Sequence, residues 1–260
     1  MKTEISRSLR NILTIAHREL FAFFVSPVAY AVIAFQFAAC AYIMFLISKA
    51  AERPFPIYEQ DPMGGGLTGA APGIFFWIRF TAMLTFPLLT MRLLAEEQRT
   101  GTIEQLLTSP VRDIDVVLGK YLGALGLLLV TVVLSMVHLW WFRKYAQQEW
   151  PQMLAGLLGY IVLGATFLAV GLFVSSLTKS QIAAYVGTLG VLFLLWMIGW
   201  TAERVEGSGI AEMLSYVSLD DHWDDFLKGL LDARAFAYFG SLIGLTLFCT
   251  TRSIASHRAQ

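Results

Sequence analysis

The chain has 260 residues, 57% of them hydrophobic and only 15% charged, with 19 basic and 19 acidic residues cancelling to zero and a mean hydropathy of +0.62. Soluble domains carry about a quarter of their residues as charges, so the composition excludes an ordinary water-soluble globule, and no nucleic-acid partner is expected. The two cysteines, Cys40 and Cys249, both fall in apolar runs and exclude a disulfide framework or a thiol–metal pair by spacing.

In chain order, the first element is amphipathic. Ile5, Leu9, Ile12, Leu13, Leu20, Phe23 and Phe24 alternate with Arg7, Arg10, Asn11, Thr14 and Arg18, which predicts a helix over 1–26 with one apolar stripe. Its arginines place it in the cytoplasmic headgroup region, and Ser26-Pro27 breaks it and turns the chain into the bilayer.

Six apolar runs follow, near 28–47, 74–94, 116–142, 153–177, 182–201 and 234–251. Each approaches the roughly 20 residues that cross a hydrocarbon core as helix. The fold class is therefore all-α, a polytopic membrane protein with six transmembrane helices, read as one transmembrane domain over 1–260. The first span is expected to act as the insertion signal, because a fairly polar stretch rather than a cleavable leader precedes it.

The loop 48–73, with Pro54, Pro56, Pro62 and Gly64-Gly65-Gly66, is too rich in breakers for a long helix. Pro87 is expected to bend the second span. Arg79 lies near that span's outer end and is expected to snorkel to the headgroups; buried, it would be a functional candidate.

Between the second and third runs stands a polar cassette, 95–115. Leu94 to Thr108 reads as helix, interrupted at Gly101, so two short pieces joined at Arg99-Thr100-Gly101-Thr102 are expected, with Thr102 as N-cap of the second. Thr108-Ser109-Pro110 ends it. His138, late in the third run, reads as a packed or interfacial histidine. Gly119-x-x-x-Gly123 and Gly240-x-x-x-Gly244 fit close helix contacts.

The segment 202–233 holds eight acidic residues. Trp223, Phe226, Leu227, Leu230 and Leu231 fall on one helical face, with Asp221, Asp224, Asp225, Lys228 and Asp232 on the other. This predicts an amphipathic extracytoplasmic segment resting on the outer leaflet or dipping into it, its aspartates solvated. The spacing of a calcium-binding loop is absent.

Eleven basic residues lie on the side of the termini and the cassette, and seven on the other. The positive-inside rule then sets both termini and 95–115 in the cytoplasm.

No phosphate-binding loop exists, since Gly119-Lys120 is followed by Tyr121 and lacks the earlier glycine. The chain is not expected to be an enzyme, to hydrolyse ATP, or to hold a cofactor or metal.

The order Glu96-Glu97-x-Arg99-x-Gly101-Thr102-Ile103-Glu104-x-Leu106-Leu107-Thr-x-Pro, then Gly119-Lys120, resembles the permease subunits of type-2 ABC transporters. So do Gly171-Leu-Phe-Val-Ser-Ser-Leu-Thr-Lys-Ser-Gln-Ile-Ala-Ala184 and Ser26-Pro27-Val-Ala-Tyr30. Leu214-Ser-Tyr-Val-Ser-Leu-Asp-Asp-His-Trp-Asp-Asp-Phe226 is similar to the gliding-motility and copper-processing (nitrous oxide reductase maturation) branches, although Leu219-Asp220 stands where those usually show Pro-Phe.

The resemblance implies an exporter-type subunit in a bacterial inner membrane, working with two cytoplasmic ATPase copies, which bind ATP and magnesium. It also implies a second permease copy or homologue, contact with membrane lipid, and in some systems a subunit with a large extracytoplasmic domain. Glu96, Glu97, Arg99 and Glu104 would then make polar contacts with the ATPase, oriented by Gly101 and Thr102, while Ile103, Leu106 and Leu107 seat the helix. The plainer alternative is that these residues only cap helix ends and pair with one another.

Two rivals fit less well. A membrane-embedded protease of the CAAX-processing type would separate its Glu-Glu from arginine by three residues and carry histidine motifs on later spans. A secondary transporter would want carboxylates deep within its spans, and the apolar runs offer none.

Overall fold

The computed structural model describes residues 2–51, 70–102, 111–146, 150–202 and 216–258. Helix α1 (Lys2–Val25) is followed by α2 (Pro27–Ala51), α3 (Ala70–Thr90), the short α4 (Ala95–Thr100), α5 (Asp113–Ala146), α6 (Trp150–Ser176), α7 (Gln181–Ala202), α8 (Leu219–Leu227) and α9 (Ala233–Arg258). No strand occurs among the described residues. Among the described residues, six segments are long and apolar enough to cross a membrane: Pro27–Leu46, Trp77–Thr100, Asp113–Trp141, Met153–Ser176, Gln181–Gly199 and Ala233–Ser256. These coincide with the six apolar runs.

The break at Ser26 is where the sequence puts it. Proline at the first position of α2 is pre-set for a helix start, and Ser26 Oγ accepts from the Val28 amide at 3.3 Å, serving as its N-cap. Pro87 stands in the last turn of α3, which gives way to the turn 91–94; the helix ends just beyond the proline. Breakers at 52–69 lie outside the described residues.

Helix α6 is the centre of the bundle. Tyr160, Leu163, Ala169 and Leu172 are fully buried, and α3, α5, α7, α8 and α9 all pack on it. Helices α2 and α3 are stapled by an uncharged polar seam. Gln36 Nε2 donates to Thr81 Oγ1 at 2.8 Å and to the Ile78 carbonyl at 3.3 Å, and Thr85 Oγ1 donates to Gln36 Oε1 at 3.3 Å. Such side-chain bonds hold helices where the hydrophobic effect does not. Cys40 is buried beside this seam, and His138 packs its ring 4.1 Å from that of Phe37.

Helix α1, expected as an amphipathic helix in the headgroup region, packs one side against the bundle. Its stripe is divided: Ile12, Ile15, Leu20 and Phe23 turn toward the bundle, while Leu9 and Leu13 stay exposed. The packed side lies along the first turns of α5, where a Cβ on Gly119 or Gly123 would stand 2.6 Å from Ile15 or 2.7 Å from Glu19. That spacing therefore marks a close contact, as read from the sequence. At Gly240 and Gly244 no neighbouring helix among the described residues comes within 4 Å of a Cβ.

Helix α8 differs from expectation. It is wedged into the bundle, with Leu219, Trp223 and Phe226 fully buried and Phe226 seated on Gly159 of α6. It stops at Leu227 because Gly229 adopts φ 79°. The amides of Gly229 and Leu230 then bond back to Phe226 and Asp225 at 3.1 and 2.9 Å, the Schellman pattern. Leu230 and Leu231, expected on its apolar face, fall beyond the turn and are exposed.

Candidate functional site

The polar cassette begins with α4, a helix of six residues. The first amides of any helix lack partners within it, and Leu94, at the N-cap, contributes no side-chain bond. The missing acceptor comes from another span. Ser175 Oγ of α6 accepts from the Leu94 and Ala95 amides at 3.2 and 3.0 Å and donates to the Met91 carbonyl at 3.2 Å. Beside it, Gln98 Nε2 donates to the Ser176 carbonyl at 2.7 Å, which also accepts from Ser253 of α9 at 3.2 Å. The described part of the first motif, through Gln98 and its neighbours Leu94 and Ala95, is thus bonded to the Ser175-Ser176 pair of the second.

Gly101 closes α4 in the left-handed region, φ 73°, which glycine adopts without Cβ strain. Helical backbone resumes at Thr102 itself, one residue before the expected start. Thr102 and Thr100 share a hydroxyl bond of 2.9 Å. Ile103, Glu104, Leu106 and Leu107 lie outside the described residues.

The charged side of α4 divides in two. Arg99 is exposed, and Glu96 is partly so, its side chain at 43%. Glu97, expected to meet a partner, turns inward to Lys120. The Lys120 ammonium is 1% exposed and donates to Glu97 Oε1 at 2.7 Å and to Glu19 Oε1 of α1 at 3.0 Å. Arg18 stands 3.0 Å from Glu19 and 4.0 Å from Glu97. A buried ammonium requires such compensation, since an unpaired one is costly. Burial alone pushes the Glu19 carboxyl up, but Lys120 and Arg18 together hold it below its ordinary 4.5.

Two further bonds complete the site. Arg92 Nη1 donates to Ser26 Oγ at 2.5 Å and its Nε lies 3.7 Å from Glu96, tying the end of α3 to the α1–α2 break. Ser8 Oγ donates to Asp115 Oδ1 at 2.5 Å. Arg92 and Glu96, with Glu19, Glu97 and Lys120, border a cleft between α1 and α4. Physically, the arrangement joins α1, α4, α5, α6 and α9 at one end of the bundle, so that α4 cannot shift without moving its neighbours.

Sequence reasoning named Glu96, Glu97, Arg99, Gly101 and Thr102 here but missed Glu19, Arg92, Gln98, Lys120 and Ser175. The available signals were a lone lysine entering an apolar run and a Ser-Ser pair ending another.

At the opposite end of the bundle, Arg79 is buried and its Nη1 bonds Asp220 Oδ1 of α8. The expected snorkelling does not occur, because α8 brings a carboxylate to the guanidinium.

These features define a polytopic helical membrane protein whose one end carries a clamped, polar interhelical element. Compared with known families, residues 36–202 match the ABC-2 family transporter proteins, a stretch that runs from within α2 through α7. The chain belongs to that family and is a permease subunit of an ABC transporter, a class that works with an ATPase partner. No curated protein matches it.

Proposed function

We propose that this permease subunit exports a substrate or transmits a conformational signal across a bacterial inner membrane, and that α4 is the element its ATPase moves. The observation that carries the reading is the double fastening of α4, to α6 through Ser175 and to α1 and α5 through Glu97 and Lys120. A push on α4 would reach three spans and α1 at once. Arg99 and the partly exposed Glu96 would face the ATPase, continued by Ile103, Glu104, Leu106 and Leu107.

In this reading both termini and α4 are cytoplasmic, as the eleven-to-seven split of basic residues supports. Two ATPase copies bind ATP and magnesium, this chain holds no cofactor and catalyses nothing, and a second permease copy or homologue completes the pathway. A subunit with a large extracytoplasmic domain fits the far end. The gliding-motility and copper-processing branches are proposed from Leu214–Phe226, a stretch beyond the family match.

The test is a pair of charge reversals, Arg99→Glu with Glu104→Lys, in the complete complex. Reversal at a partly desolvated contact costs about 2–5 kcal/mol, against well under about 1 for a solvated charge. The variant should insert normally yet lose co-purification with the ATPase or its substrate-linked turnover; wild-type assembly and activity would reduce α4 to a solvated loop. A cysteine at Thr100 should label only from the cytoplasm and one at Ser208 only from outside.

A further inference from the structure

The far end of the bundle holds a charge in apolar surroundings. Arg79 is 9% exposed, within the span Trp77–Thr100, and its carboxylate partner comes from α8, a short helix that is not itself a span. Beside the pair is a cavity of about 10 Å³ lined by Phe80, Met83, Leu163, Phe167, Leu192 and Trp196, just room for a water. Its polar lining is Arg79 and Asp220; the rest is aliphatic or aromatic.

A row of rings crosses the adjacent α3–α7 seam. Trp77 stands edge-on to Phe80 at 6.1 Å, Phe80 lies 6.5 Å from Trp196, and Trp196 lies 5.6 Å from Phe193. The two end members, Trp77 and Phe193, are exposed. The row therefore joins two exposed rings through Phe80 and Trp196, which line the cavity.

We infer that this is a binding site for an amphiphile with an anionic head and an apolar chain, entered laterally from the bilayer. The head takes over Arg79 from Asp220, and the chain lies along Phe80, Leu192 and Trp196. Asp220 is then a resident counter-ion that keeps the guanidinium compensated while the site is closed, as a buried charge requires. A guanidinium suits this exchange because its planar fork accepts carboxylate or phosphate alike. The alternative is a permanent staple that only fixes α8, and the two predict opposite signs for loss of the aspartate charge.

The test uses the full-length chain in neutral dodecyl maltoside, without ATPase, so that its outcome is independent of the coupling reading. Binding of dodecyl phosphate is read by native mass spectrometry, with inorganic phosphate as the chainless control. Asp220→Asn should bind dodecyl phosphate about tenfold more tightly and Arg79→Gln about tenfold more weakly, the scale of one charge-assisted hydrogen bond. Leu192→Trp should weaken binding by filling the cavity without altering charge. Inorganic phosphate should not bind. Unchanged or weaker binding in Asp220→Asn overturns the proposal, whatever the folding of Arg79→Gln. So does wild-type affinity in Leu192→Trp, or inorganic phosphate binding as well as the amphiphile.

Discussion

Lys120 donates to Glu97 at 2.7 Å across 23 residues of sequence, and the same ammonium reaches Glu19 at 3.0 Å across 101. One buried cation thus fixes both a short interhelical element and the N-terminal helix to a membrane span. Lys120→Met leaves two carboxylates facing each other with only the more exposed Arg18 as counter-ion. Removing one partner of a buried pair costs about 3–5 kcal/mol, and the residual exposure of both glutamates places this one at about 3. Thermal unfolding in detergent should show the loss, and Glu97→Gln in the Lys120→Met background should recover part of it.

The depressed Glu19 carboxyl sets a pH dependence with a definite sign. A carboxyl whose folded pKa lies below its unfolded value adds stability above the unfolded value, here about 4.5, and loses it as pH falls through the lowered one. Unfolding followed from pH 7 downward should fall more steeply for the wild type than for Glu19→Gln in the acid range. Parallel curves would place the Glu19 ion pair outside the folding equilibrium.

Gly171 faces Thr90, whose Oγ1 would clash with an added Cβ and whose Cβ would stand 2.8 Å from it. Gly171→Ala should therefore act as overpacking, costing about 1–3 kcal/mol. Gly244→Ala, with nothing within 4 Å among the described residues, should be neutral or slightly stabilising through the unfolded state. Comparing the two melting temperatures checks the α3–α6 contact directly.

Ser175→Ala removes the acceptor for the Leu94 and Ala95 amides. Loss of an N-cap oxygen costs about 1 kcal/mol, too little to unfold the chain. Its larger effect should be functional: substrate-linked ATPase turnover of the complex should fall while insertion and assembly hold. Ser175→Thr, retaining the hydroxyl, should lie closer to wild type.

What could be read from the sequence was whatever depends on local periodicity. The six spans follow from run length, the Ser26-Pro27 break from proline stereochemistry, and the division of the cassette from Gly101. The rest depends on distant partners. Asp220 looks solvated among neighbouring aspartates, and only the partner 141 residues away explains why it enters the bundle and why Arg79 does not snorkel. Lys120 reads as an ordinary boundary charge until α1 and α4 are folded against it. Gly119-x-x-x-Gly123 and Gly240-x-x-x-Gly244 have the same spacing, yet among the described residues only the first meets another helix, a distinction that spacing alone cannot carry.

The seating of α1 on the glycines of α5 fixes an order of events during synthesis. Helix α1 leaves the ribosome before α5, since Gly119, Gly123 and Lys120 follow about a hundred residues later. Until the third span enters the bilayer, Glu19 lacks its buried partner and the inward stripe of α1 has only lipid or water to meet. A nascent chain stalled before α5 should therefore leave α1 open to protease and to labelling at Ile15, and one stalled after Gly126 should protect it. Helix α1 is made before the span that seats it and waits for that span to find its place.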